Sequence, residues 1–207
     1  GGYYNYVYAY SATIRGGYGN QNGGYAAGIM GGYYNSAYGY TGSIQGGAYN
    51  RLYSSYTNIM GGYSNSAQYG YAKVGGGYDN WAYGYSAHVS GGQYNNVMTS
   101  YGTIGGGQYN YINGAYSSIR GGRYNTALGY AGAITGGTYN TIYSGKYATI
   151  TGGTGSYIVT GYASTVIGGD GHTLDGSYSI IVGGLDNSLE GDYSIITGGN
   201  GNTVVAA

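Results

Sequence analysis

Few side chains in this sequence are of types that carry out chemistry, and their spacing does not bring them together. The two histidines, His88 and His172, are more than eighty residues apart. Asp170 and Asp175 lie near His172, and imidazole with carboxylates is a common arrangement for metal binding or acid–base catalysis. The chain has no Cys, which excludes thiolate catalysis, disulfides and Cys-based metal sites.

Three late segments resemble a calcium-binding nonapeptide repeat, GGxGxDxUx: GGTGSYIVT, GGDGHTLDG and GGNGNTVVA. The nonapeptide needs Asp at its sixth position, where this chain has Tyr157, Thr173 and Thr203. The period of the repeat is fifteen or sixteen residues rather than nine. We therefore predict no metal, no cofactor and no catalytic residue, and we interpret His172 as a substitute in a structural column.

A repeat defines the elements that position every side chain. A Gly-Gly pair returns every fifteen residues from Gly1 to Gly136, slips to sixteen twice, and resumes fifteen at Gly183. A fixed period of this kind marks a repeat architecture. Fourteen copies of one unit are typical of a surface or a scaffold, and they argue against a single catalytic pocket.

One copy, GGYYNSAYGYTGSIQ, is numbered 1 to 15 from its first Gly. Position 5 is mostly Asn, position 7 is mostly apolar, position 12 is small and position 14 is Ile or Val. The pairs 5/7 and 12/14 have the period of strands, and a turn residue follows each pair. The sequence predicts an all-β fold: one parallel β-solenoid domain over residues 1–207, with about fourteen coils of 15–16 residues and two short strands per coil.

Composition divides the predicted solenoid into two regions. Residues 1–151 are Tyr-rich and basic, whereas residues 152–207 are Tyr-poor and acidic, since 30 of the 34 Tyr lie before residue 151. Six basic residues and one acid give the first 150 residues a charge of +5, and five acids give the remainder −5. The basic residues are too dispersed for a nucleic-acid groove. No apolar run is long enough to span a membrane.

The Asn at position 5 follows the Gly-Gly turn. Such a column predicts an internal ladder whose amides satisfy backbone groups of the turns. It comprises Asn5, Asn20, Asn35, Asn50, Asn65, Asn80, Asn95, Asn110, Asn125 and Asn140.

Tyr recurs at outward positions 3, 4, 6 and 8, and again at position 10 or 11. A large aromatic stripe usually marks an interaction surface, because Tyr combines apolar area with a polar handle. The alternative is that the rings only stabilise the coils. We predict an interface that includes Tyr4, Tyr34, Tyr38, Tyr49, Tyr53, Tyr83, Tyr94, Tyr109, Tyr124 and Tyr139.

The pattern GGxxNxAxGxxAxI, carried best by GGYYNSAYGYTGSIQ and GGYDNWAYGYSAHVS, resembles the head repeats of trimeric autotransporter adhesins, the YadA-like class. Similar Gly-rich repeats occur in phage and other surface fibres. The resemblance covers essentially the whole chain. It implies a left-handed parallel β-roll, trimer formation, a location on the outer-membrane surface, and adhesion to host or abiotic surfaces.

These observations predict a non-enzymatic, extracellular or cell-surface protein that assembles with itself, as a homo-oligomer or a head-to-tail polymer, into an adhesive fibre. Open parallel edges, the lack of a capping repeat and the opposite charges of the two regions favour a filament. The alternative is the head of a homotrimeric adhesin that binds host or abiotic surfaces. Surface glycans and host surface proteins are candidate further partners. A solenoid that binds ice or carbohydrate is a less favoured function than the fibre or the adhesin head.

Overall fold

The computed structural model describes residues 1–205, in two compact units that are divided between Tyr101 and Gly102. Each unit is built of parallel β-coils, and the predicted fold class is confirmed: the chain is an all-β parallel solenoid with two strands per coil and about 13 turns. Within residues 1–205 there is no helix, and so none long and apolar enough to cross a membrane.

The first unit forms two parallel sheets, one from the odd-numbered and one from the even-numbered strands. The odd strands are β1 (Tyr6–Val7), β3 (Gln21–Asn22), β5 (Ser36–Ala37), β7 (Arg51–Leu52), β9 (Ser66–Ala67), β11 (Trp81–Ala82) and β13 (Asn96–Val97). The even strands are β2 (Thr13–Ile14), β4 (Gly28–Ile29), β6 (Ser43–Ile44), β8 (Asn58–Ile59), β10 (Lys73–Val74) and β12 (His88–Val89).

The second unit repeats this arrangement. Its odd strands are β15 (Tyr111–Ile112), β17 (Thr126–Ala127), β19 (Thr141–Ile142), β21 (Tyr157–Ile158), β23 (Thr173–Leu174), β25 (Ser188–Leu189) and β27 (Thr203–Val204). Its even strands are β14 (Thr103–Ile104), β16 (Ser118–Ile119), β18 (Ala133–Ile134), β20 (Thr149–Thr151), β22 (Thr165–Ile167), β24 (Ile180–Val182) and β26 (Ile195–Thr197).

Equivalent residues of successive coils pair in register, so each coil position becomes a column. Ser36 pairs with Arg51, for example, and Ile44 pairs with Ile59. A third column of parallel bridges runs through position 3. The two sixteen-residue coils keep this register because their extra residues lie in the turns after β19 and after β21.

Each coil turns at two places, and both turns use left-handed backbone. We call the turn at positions 1–4 turn 1 and the turn at positions 9–11 turn 2. At turn 1 the second Gly of the pair is required: a Cβ on Gly32 would lie 2.1 Å from the carbonyl oxygen of Gly47 in the next coil. Position 4 follows with φ near +55°, as at Tyr34 (φ 50) and Tyr49 (φ 58), and position 11 does the same in turn 2.

Positions 7, 12 and 14 of each coil contribute one side chain each to the core, and equivalent side chains stack from coil to coil. Position 14 supplies one Ile or Val per coil, buried from Ile29 onward through both units. Neighbouring coils adjust to one another: a Cβ on Gly42 would come within 2.9 Å of Leu52 Cδ1 in the next coil. Little apolar area is buried per coil, so backbone ladders carry much of the stability.

Candidate functional site

The predicted Asn column lies inside the coils, where its amides bond the backbone of turn 1. Asn35 shows the pattern: its Nδ2 donates to the Gly31 carbonyl at 3.1 Å and to the Gly47 carbonyl of the next coil at 2.9 Å. Its Oδ1 accepts the N–H of Asn50 at 3.0 Å. Each amide therefore ties two coils together and has no capacity left for a ligand.

The column changes composition in the second unit, at Ser156 and His172. Ser156 donates its N–H to Asn140 Oδ1, but its own buried Oγ has no hydrogen-bond partner. His172 accepts the N–H of Asn187 at Nδ1 (3.2 Å), while its buried Nε2 has none. Burial lowers the pKa of His172, and the nearby acids Asp170 and Asp186 oppose this in part. His172 therefore stands in the buried column of ladder Asn residues, which agrees with the interpretation drawn from the sequence.

Nearly all the tyrosines lie outside the core. Of the 34 Tyr in the chain, all except Tyr83, Tyr111 and Tyr124 are exposed, and those three are half-buried. Their rings are nevertheless ordered, because most stack on the ring of the next coil. Two columns result, one along each turn, which we call the turn-1 ladder and the turn-2 ladder.

The turn-1 ladder uses positions 3 and 4. In the first unit its rings lie 5.1 to 5.9 Å apart between coils and belong to Tyr4, Tyr18, Tyr33, Tyr34, Tyr49, Tyr63, Tyr78 and Tyr94. In the second unit Tyr109, Tyr124 and Tyr139 stack at 4.8 Å. The ladder ends there, because the later coils have Gly or Asp at position 4.

The turn-2 ladder has one ring in each of the first thirteen coils, taken from either position 10 or position 11. In the first unit the rings lie 5.0 to 6.0 Å apart, from Tyr10 through Tyr25, Tyr40, Tyr56, Tyr71 and Tyr85 to Tyr101. In the second unit they lie 5.2 to 5.7 Å apart, from Tyr116 through Tyr130, Tyr147, Tyr162 and Tyr178 to Tyr193. Within each unit the ladder is unbroken.

The tyrosines predicted as one interface belong to two surfaces. The turn-1 ladder contains seven of them: Tyr4, Tyr34, Tyr49, Tyr94, Tyr109, Tyr124 and Tyr139. The other three, Tyr38, Tyr53 and Tyr83, stand at position 8 on the outer face of the odd-strand sheet. Tyr38 and Tyr53 stack there at 6.1 Å, whereas Tyr83 packs against Trp81.

Many ladder tyrosines occupy left-handed backbone, which favours Gly and Asn rather than an aromatic residue. Tyr34 and Tyr56 have φ of 50° and 59°. Such a conformation costs an L-residue about 1–2 kcal/mol, and a ring pair returns about 0.5–1.5 kcal/mol. The two effects nearly cancel within the folded chain, and other coils use Gly at the same place, as at Gly19 and Gly155. The rings at positions 4 and 11 therefore contribute little net folding energy, whereas rings at positions 3 and 10, such as Tyr33 and Tyr25, carry no such strain. Both kinds leave an exposed aromatic surface.

The residues with chemical potential do not form a reactive centre in the part of the chain that the structure describes. No group of three or more His, Asp or Glu side chains able to hold a metal occurs among residues 1–205. His88 lies at position 13 beside Lys73 of the preceding coil, and its pKa is lowered by burial first and by that lysine second.

Two late acids act as backbone caps instead. Asp175 Oδ1 accepts the N–H of Thr160 at 3.1 Å, where the extra residue of that coil would otherwise leave a donor unpaired. Asp192 Oδ1 accepts the N–H of Ser177 at 2.6 Å. Two of the late acids therefore satisfy backbone N–H groups of the turns. In the sequence, the only indication is an acid fifteen residues after the residue whose N–H it accepts.

A second polar column, absent from the sequence prediction, runs through position 12 of the late coils. Ser164 Oγ donates to the Gly176 carbonyl at 2.7 Å, and Ser179 Oγ donates to the Gly191 carbonyl at 2.8 Å. Each Oγ also accepts an N–H from the next coil, as Ser179 does from Ser194 at 3.0 Å. This column does at turn 2 what the Asn ladder does at turn 1. Its signal was the recurrence of Ser at one coil position.

Comparison with known proteins adds no family to this description. No family model matches the chain, and a search of curated proteins finds no match.

Proposed function

We propose that this chain is a non-enzymatic structural protein of the cell surface, which self-associates laterally through its tyrosine ladders into an adhesive fibre. The observation that carries the proposal is the turn-2 ladder: one exposed ring in each of the first thirteen coils, unbroken within each unit. The occupant of this surface is a second copy of the same chain.

Three properties support a second copy as the partner. The ladder rings are exposed in the single chain, as Tyr40 and Tyr56 are, so their outer faces gain from burial against another surface. An identical ladder has the same coil spacing, so rings of two copies meet at every coil along the contact. The chain is only 6% charged with a net charge of zero, so little electrostatic repulsion opposes association.

The resemblance to adhesin heads supports the extracellular location and the adhesive role. It also supplies the competing assembly, a closed trimer in place of a fibre. A closed trimer stops growing, whereas a lateral contact in which the copies are staggered along the coils leaves part of each ladder free for the next copy.

Electron microscopy and sedimentation velocity across a concentration series test the proposal. We expect fibres whose length and number rise with concentration. Discrete particles of three-chain mass indicate the trimeric head instead, and monomers at every concentration overturn self-association altogether.

Three variants identify the surface. The turn-2 variant replaces four neighbouring rings with Ser: Tyr25, Tyr40, Tyr56 and Tyr71. The turn-1 variant replaces Tyr34, Tyr49, Tyr94 and Tyr109 with Ser. The matched control replaces four tyrosines outside both ladders with Ser: Tyr6, Tyr69, Tyr143 and Tyr157. We expect all three to keep the β signal in circular dichroism.

The turn-2 variant should lose association and the control should keep it. Association that survives unchanged in both ladder variants rules the ladders out as the interface.

A further inference from the structure

The outer face of the odd-strand sheet in the first unit contains a cleft that neither ladder explains. It has a volume of about 160 Å³ and lies around Ser66. Its walls are Arg51 and Tyr53 on one side and Trp81 and Tyr83 on the other. The chain contains a single Trp, and it stands in this wall.

The cleft exists because a small residue separates two large ones in the same column. Arg51, Ser66 and Trp81 occupy position 6 of three successive coils, paired in register. Ser66 is 8% exposed and forms the floor, whereas the side chains of its two neighbours stand above it. The gap between the walls is therefore two coil spacings, about 9.6 Å between backbones.

The walls are held in place and carry different chemistry. Trp81 Nε1 donates a hydrogen bond to Asp79 Oδ1 at 2.7 Å, which fixes the indole, and its ring lies 5.3 Å from the ring of Tyr83 at a tilt of 47°. The guanidinium of Arg51 has no hydrogen bond or ion pair with any residue in the described part of the chain. The cleft thus presents an oriented aromatic wall opposite an unpaired cation.

The indole has a second cleft on its other side, of about 170 Å³, lined by Asp79, Tyr94 and Asn96. Asp79 lines this second cleft and not the first. Trp81 therefore separates an Arg-containing cleft from an amide- and acid-containing one. The pKa of Tyr83 is raised, first by burial and then by Tyr53, which is consistent with a phenol drawn into the wall.

We propose that the Arg51–Trp81 cleft binds an acidic saccharide, with one carboxylate-bearing pyranose ring lying against the indole. The face of an aromatic ring is electron-rich and attracts the C–H groups of a sugar face. Arg51 pairs with the carboxylate through its planar fork of donors. The Ser66 hydroxyl and the phenols of Tyr53 and Tyr83 offer hydrogen bonds to ring hydroxyls.

The chemistry of the cleft favours this ligand over nucleic acid. Aromatic rings also stack on bases, but a nucleic-acid strand needs a continuous basic groove. Arg51 is the one cation in the lining of the cleft. The site uses no residue of the turn-2 ladder, so it does not depend on assembly through that ladder; one lining residue, Tyr49, belongs to the turn-1 ladder.

Fluorescence of the single tryptophan tests the proposal directly, because excitation at the red edge of its absorption avoids the tyrosines. The probe is a tetrasaccharide of galacturonic acid added to the full-length chain, and its fully methyl-esterified form is the uncharged control probe. We expect a saturable change of Trp81 emission with the acidic probe and affinity about tenfold weaker for the ester, since a hydrogen bond to a charged group is lost.

Variants of the cleft sharpen the test. Arg51→Gln keeps the reporter and should bind both probes with the weaker affinity. Ser66→Tyr fills the floor of the cleft and should abolish binding. Thr126→Tyr introduces the same residue at the same coil position in the second unit, and it should leave binding unchanged. Calorimetry with Trp81→Thr repeats the test if Ser66→Tyr fails to fold. No saturable response to the acidic probe, equal affinity for the two probes, or wild-type binding by Ser66→Tyr or by Trp81→Thr overturns the proposal.

Discussion

The early coils, residues 1–151, and the late coils, residues 152–205, use the same turns and columns but stabilise them with different side chains. In the early coils position 7 is often Ala, as at Ala37 and Ala67, and aromatic ladders line both turns. In the late coils position 7 is Ile158, Leu174 and then Leu189, all fully buried. The turn-1 ladder is absent from these late coils, since their position 4 is Gly or Asp.

The polar groups of the turns differ in the same way. The early coils rely on the Asn ladder at turn 1 and have a bonded Ser at position 12 in one coil, at Ser117. The late coils have Ser at position 12 in successive coils, together with the caps of Asp175 and Asp192 at turn 2. One feature continues from the early coils into the late ones: the turn-2 ladder, through Tyr162, Tyr178 and Tyr193. A feature kept when its surroundings change is the better candidate for the shared function, and this favours the turn-2 ladder over the turn-1 ladder as the assembly surface.

The largest expected effect is at the glycine that both regions share. Gly122→Ala in the early coils and Gly184→Ala in the late coils each place a Cβ within 2.4 Å of a carbonyl oxygen in the next coil. We expect each to lower the free energy of unfolding by more than about 4 kcal/mol. Gly121→Ala is the control, because its Cβ meets nothing within 4 Å. Thermal melts by circular dichroism measure the difference, and a tolerated Gly184→Ala contradicts a common turn.

The next effect concerns the core and separates the two regions. Leu174→Ala empties a late coil and should cost about 2–5 kcal/mol. Ala67→Leu adds volume to a packed early coil and should cost about 1–3 kcal/mol. Urea unfolding measures both. A gain in stability from Ala67→Leu would contradict this expectation, since it would show that the core of the early coils has room for a larger side chain.

A smaller effect is expected at the exceptional residue of the Asn column. His172 accepts an N–H at Nδ1, so its neutral form carries the proton on the unpartnered Nε2. Burial lowers its folded-state pKa below the ordinary 6.5. The stability that depends on neutral His172 is therefore complete above pH 6.5 and decreases as the pH falls from there through the folded-state pKa.

His172→Asn restores the early column in a late coil. It should raise the free energy of unfolding by about 1–3 kcal/mol at neutral pH, because it removes an unsatisfied buried donor. It should also remove most of the loss between about pH 7 and 5. His88→Gln is the control for the other histidine, whose lowered pKa arises in a half-exposed position. Urea midpoints as a function of pH give the answer, and an unchanged pH slope in His172→Asn contradicts the assignment.

The period of the sequence was sufficient to predict the coils, because in-register stacking makes every position a column. Position 14 and the Gly-Gly pair identified the strands and turn 1 by alternation and turn chemistry alone. The cleft at Ser66 follows from the same columns once position 6 is compared between coils. What the sequence did not indicate is left-handed backbone at Tyr34 and Tyr56, since that conformation normally selects Gly or Asn.

Other features arise where the repeat is irregular, so the period of the sequence cannot predict them. The extra residue of the coil that contains Thr160 leaves the Thr160 N–H without a backbone carbonyl partner, and the Asp175 side chain of the next coil accepts it instead. The exchange of Asn for His172 likewise changes the hydrogen bonding of only one column. Both features are local departures from the repeat, and their partners become visible only when the register of the coils is known.

The smallest effect on stability is expected in the ladders, where it separates folding from assembly. Tyr178→Gly removes two ring contacts, at 5.4 Å and 5.2 Å, but relieves a residue with φ of 54°. Tyr124→Gly does the same in the turn-1 ladder, where φ is 56°. Strain relief of about 1–2 kcal/mol against a similar loss of stacking leaves each within about 1 kcal/mol of the wild type. Sedimentation should nevertheless show weaker association for Tyr178→Gly than for Tyr124→Gly, because only the turn-2 ladder is unbroken in both units. Equal association of the two variants contradicts that distinction, since continuity of the ladder then has no effect on assembly.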